Sequence, residues 1–76
     1  MSEFLAQQTH AFAAYVGRQV AVVTDTGAHF TGTLLSYDLY GNLVLDGAAQ
    51  RLSSTELAPA GVTTIQASRV QFVGLL

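Results

Sequence analysis

Tyr40 stands midway between Asp38 and Asn42, and this Asp-Leu-Tyr-Gly-Asn segment concentrates the polar chemistry of the chain. An aromatic face can stack on a flat unpaired ring, a primary amide presents a donor and an acceptor together, and a carboxylate accepts only. Such a set suits recognition rather than bond making. Asp38 reads as the residue that orients Asn42 or the loop backbone, because a carboxylate facing phosphate would be repelled. Gln66 and Arg69 form a second, smaller group, offering an amide and a planar cation near the end of the chain. His10 and His29 are far apart, no acid stands at ligand spacing, and cysteine is absent, so no metal and no cofactor are expected. Ser53, Ser54 and the carboxylates show no nucleophile motif and no paired-acid arrangement, so no catalytic residue is expected and the chain does not read as an enzyme.

These side chains must be positioned by a small body. Seventy-six residues, 50% hydrophobic and 11% charged, are enough for one domain over 1–76 and too apolar for a disordered chain. A core of this size gives thin stability without disulfides, which favours assembly with partners. The apolar runs are far too short for a bilayer, and the start lacks the basic and apolar regions of a secretion signal, which predicts a soluble, intracellular chain without membrane contact. Three arginines and no lysine face five acids, for a formal charge of −2. Binding to a phosphate backbone normally draws on a basic footprint. Contact with nucleic acid would therefore rest on stacking and base-edge hydrogen bonds at a small site, or on basic neighbours.

The pattern along the chain predicts an N-terminal helix over about 2–16, with Ser2 as cap, Glu3 at the positive end of the dipole, Leu5, Phe12 and Val16 on one face, and Gly17 as terminator. From Gln19 the period becomes two. Val20 and Val22 alternate with Ala21 and Val23 up to a turn at Asp25-Thr26-Gly27, and a long second strand follows with Gly32 inside it, where bending or close backbone approach is expected. Leu43-Val44-Leu45 reads as a buried strand with Asp46-Gly47 as a kink or bulge. Residues 47–61 read as a variable loop, and Val62–Ala67 and Val70–Val73 as two closing strands separated by Ser68-Arg69. The fold class is mainly β: a helix, then a strongly bent five-stranded antiparallel sheet over about 19–76, rolled into a small SH3-like barrel.

Gly17, Val20, Val22, Gly27, Gly32, Leu34, Asp38, Asn42 and Leu45 together resemble the first motif of the Sm and like-Sm (Lsm) family. Ile65-Gln66-Ala67-Ser68-Arg69-Val70 occupies the place of the second motif, with Gln66 where the family has arginine and Ala67 where it has glycine. The stretches 20–23, 32–34 and 70–76 look most like eukaryotic Lsm ring subunits. The resemblance implies a ring of six or seven Sm-like subunits, joined through the strands around Val62–Gln66 and Val70–Val73. It further implies binding of short uracil-rich single-stranded RNA in pre-mRNA splicing or mRNA decay, in the nucleus, the cytoplasm or both. Tyr40 would then stack on a base and Asn42 read a uracil edge, with Asp38 supporting it. Gln66 would stand where the family's arginine closes the pocket, and Arg69 is the nearest replacement charge. At −2 per copy, a ring of six or seven identical chains would carry about −12 to −14. That cost favours a mixed ring with basic neighbours, while identical copies still carry complementary edges. The competing reading is a ring-forming scaffold without intrinsic RNA binding, motivated by Gln66 and Ala67.

Overall fold

The computed structural model describes residues 12–76. Residues 12–15 are helical, and the rest of the helix expected over 2–16 lies outside the described residues. Five strands follow: β1 Gln19–Thr24, β2 His29–Tyr37, β3 Leu43–Arg51, β4 Leu57–Ile65 and β5 Val70–Leu75, with a 3-10 turn at Ala67–Arg69 before the last. Every pairing is antiparallel and the order across the sheet is β4-β3-β2-β1-β5. Among the described residues, the outer edges of β4 and β5 are left without a strand partner. The sheet curls without closing.

Alternation decides which face is buried. Val20 and Val22 of β1 and Leu34 of β2 are fully buried, as are Leu43 and Leu45 of β3, and they meet Ile65 and Val73 in one core. Phe12 enters the same core from the helix, with its ring edge-on to Tyr37 at 5.8 Å between centroids. Gly32 lies where β2 crosses the kinked part of β3. A Cβ there would stand 3.0 Å from the Asp46 carbonyl oxygen and 3.2 Å from the Ala48 Cα, so the bend depends on a missing side chain. The expected bulge at Asp46-Gly47 is present: the β3–β4 register slips between Leu45 and Ala48, Gly47 has φ +58°, and its N–H donates to Asp46 Oδ1 at 2.9 Å.

The loop expected over 47–61 is mostly strand. β3 continues to Arg51 and β4 begins at Leu57, leaving 52–56 as the connector. The glycines and the proline that read as loop are absorbed by sheet irregularities. Gly47 and Gly61 take positive φ at breaks in register, and Pro59, which has no N–H to donate, sits on an edge strand. The closing strands shift accordingly, to 57–65 and 70–75 rather than 62–67 and 70–73.

Candidate functional site

The β2–β3 connection is a tight loop wound around one carboxylate. Asp38 Oδ1 accepts the backbone N–H groups of Tyr40, at 2.9 Å, and Asn42, at 3.0 Å, while Oδ2 accepts the Asn42 side-chain Nδ2 at 2.6 Å. Short polar side chains bonding to backbone a few residues on are the ordinary means of setting such a turn. Gly41 closes it at φ +91°, its N–H donating to the Asp38 carbonyl. The Asn42 amide chiefly, with the N–H groups of Asn42, Tyr40 and Gly41, holds the Asp38 carboxyl below its ordinary value against an opposing desolvation.

Asn42 is also tied from the far side of the sheet. Its Oδ1 accepts the backbone N–H of Ala67 at 2.6 Å, across 25 residues of sequence. The carboxylate can only accept and the N–H can only donate, so the orientation of the amide is fixed by its partners. One N–H and one oxygen lone pair of Asn42 remain for a ligand. Beside it a shallow cleft is lined by Ser36, Tyr37, Asp38, Asn42, Thr64 and Gln66, among others. Tyr40 presents an exposed ring on the same loop, with 75% of its surface accessible.

The structure brings Asp38, Asn42 and Gln66 to one cleft and puts Tyr40 on its loop. It sets Arg69 apart: its Nε lies 3.6 Å from Asp25 Oδ1, its backbone carbonyl accepts the Asp25 N–H, and it lines a different hollow with Thr24, Thr26 and Phe30. Gln66 touches both hollows. Tyr37 is the lining residue that the sequence reading missed. The signal for it was an aromatic directly before Asp38, which read as a strand end because it alternates with the core positions. Among the described residues, no group of three or more His, Asp or Glu side chains is placed to hold a metal, and no helix is long and apolar enough to cross a membrane. His29 is exposed on β2, and His10 lies outside the described residues.

A curled, open five-stranded sheet with this loop defines a class, and comparison with known proteins gives the same one. The LSM domain model matches residues 11–75, and the chain belongs to that family. It is 34% identical over 67 residues to the Sm-like protein LSM1B of Arabidopsis thaliana, covering 84% of this chain but only 52% of that protein. It is 33% identical over 70 residues to the human U6 snRNA-associated Sm-like protein LSm8, covering 87% of this chain and 73% of the relative. The chain thus spans about half the length of LSM1B. Among solved structures it resembles a heptameric archaeal Sm protein, with TM-score 0.81, 22% identity, and coverage of 88% of this chain and 97% of that one. It also resembles the Pyrococcus abyssi Sm protein in complex with a uridine heptamer, with TM-score 0.82, 22% identity, and coverage of 90% and 96%.

Proposed function

We propose that this chain is a non-enzymatic subunit of an Sm-like ring of six or seven members, adding its β4 edge to the β5 edge of the next subunit. Each subunit offers one notch to a base of short uracil-rich single-stranded RNA, in pre-mRNA splicing or mRNA decay, in the nucleus, the cytoplasm or both. The observation that carries this reading is the Asp38–Asn42–Ala67 bridge, which holds the Asn42 amide in one orientation with one donor and one acceptor spare, beside the exposed Tyr40 ring. A uracil edge presents the complementary acceptor and N–H donor, and the tyrosine ring supplies stacking worth about 1–3 kcal/mol per base. The unpaired strands at both margins are the means of assembly. A relative bound to a uridine heptamer and a relative associated with U6 snRNA support the choice of ligand. Gln66 and Arg69 stand at the rim and beyond it, and a mixed ring supplies the cations that this acidic chain lacks.

A scaffold without RNA binding is the second reading. The neutral Gln66 and the engagement of Arg69 with Asp25 favour it. Native mass spectrometry, alone and with related subunits, gives copy number and composition. Anisotropy with a labelled uridine oligomer then decides the ligand: binding that falls in both Tyr40→Ala and Asn42→Ala supports the notch. No binding by this chain alone and in the reconstituted mixed ring leaves the scaffold.

A further inference from the structure

The convex face of the sheet carries a row of side chains that the notch does not use. Register places Phe72 of β5 opposite Val23 of β1, Val23 opposite His29 of β2, His29 opposite Arg51 of β3, and Arg51 opposite Leu57 of β4. Directly opposed residues project from the same face. The alternate positions Val22 and Val73 are in the core, so this row faces outward. Phe72 is 61% exposed, and His29 and Arg51 are also exposed.

Three of these five groups have planar faces suited to stacking on bases: a phenyl ring, an imidazole and a guanidinium. Strands lie about 4.8 Å apart, so the three are spread over roughly 14 Å from β5 to β3. The chain is acidic overall, yet this row contains no carboxylate, and the adjoining row from Pro59 to Gly74 is uncharged. The nearest acids along the strands are Glu56, before Leu57, and Asp46, opposite Thr33. His29 opens β2 while Asp38 directly follows its end, so the row and the notch lie at opposite ends of one strand. Pairing along the β5 edge uses backbone groups in the plane of the sheet and leaves the convex face open.

We infer that this row is a second site for single-stranded nucleic acid, in which Phe72, His29 and Arg51 stack on bases and Arg51 also meets the phosphate backbone. Its recognition is sequence-tolerant, since every base has a face to stack, and it does not depend on the notch. The test is anisotropy with a short labelled adenosine oligomer, which lacks the uracil edge, beside the uridine oligomer. In Arg51→Glu the affinity for the adenosine oligomer should fall about tenfold or more, the scale of one lost stacking contact. His29→Ala and Phe72→Ser should weaken it as well, and Arg51→Lys, which keeps charge without the plane, should fall between. Asn42→Ala should leave it unchanged. Native mass spectrometry on each variant checks that assembly is intact, and His29→Ala carries the test if Phe72→Ser disturbs β5. No binding of the adenosine oligomer by the wild type overturns the assignment. So does binding within about twofold of wild type in both Arg51→Glu and His29→Ala, the result expected of a face that takes protein instead. The notch reading fails separately, if Tyr40→Ala and Asn42→Ala leave uridine binding untouched.

Discussion

Replacing Asn42 breaks the one side-chain hydrogen bond that joins the β2–β3 loop to the turn before β5. In Asn42→Ala, the Ala67 N–H loses its acceptor at 2.6 Å in a half-buried position. An orphaned buried donor costs about 1–3 kcal/mol, and partial access to water places this one in the lower part of that range, about 1–2 kcal/mol. For a domain this small, the urea dependence is about 1 kcal/mol per molar, so the unfolding midpoint should drop by about 1–2 M. Asn42→Asp is the sharper perturbation. It keeps an acceptor for Ala67 but puts a second carboxylate oxygen where Nδ2 now lies 2.6 Å from Asp38 Oδ2. Two carboxylates that close cannot both ionise without large repulsion, so one is held protonated and its folded pKa rises above the unfolded value of about 4. A raised folded pKa adds stability below the unfolded pKa, which is lost as pH rises. The Asn42→Asp deficit should therefore be largest at neutral pH and shrink as pH falls toward 4 and below. Asn42→Ala retains its Ala67 penalty at every pH. Urea unfolding followed by circular dichroism from neutral pH to about pH 3 tests both. An Asn42→Ala midpoint equal to wild type, or an Asn42→Asp deficit that does not change with pH, would refute the bridge.

Asp38 itself gives an acid signature. Its folded pKa is lowered below 3.8, so its contribution is present above that value and lost as pH falls through the lowered one. Asp38→Ala should abolish this part of the acid sensitivity, measured as the difference in unfolding midpoint between pH 6 and pH 3 on the same scale. Gly32→Ala forces a methyl against backbone atoms of Asp46 and Ala48 and should cost about 1–3 kcal/mol. A calorimetric melting point unchanged from wild type would show that β3 yields there freely. Gln66→Arg adds a cation beside Asn42. If the notch holds RNA, the uridine oligomer should bind more tightly, and the slope of log affinity against log salt should steepen by about 0.7. An unchanged slope would place the phosphate away from residue 66.

Much of the loop was legible because its chemistry is local. Asp38, Tyr40, Gly41 and Asn42 are close enough in sequence that a short carboxylate, a glycine and an amide specify one turn, and the spacing alone pointed to Asp38 as the orienting group. The alternation of Val20 and Val22, the glycine of the Asp25–Gly27 turn, and the tight approach at Gly32 were legible for the same reason: each is a choice made by neighbouring backbone. Residues 47–61 were misread because glycine and proline carry one meaning in isolation and another inside a ladder. A bulge at Gly47 and an edge position for Pro59 exist only once β3 and β4 have paired.

By itself, the order of residues determined the strand period, the turns, the family and the recognition loop, since those depend on contacts within a few positions or on a motif read along the chain. The tertiary structure alone decided that Ala67 would fasten Asn42 and that Arg69 would turn toward Asp25. It alone set Phe72, His29 and Arg51 in one outward row across four strands. Those placements follow from register and bulges, and a shift of one residue in any pairing sends every side chain of that strand to the opposite face.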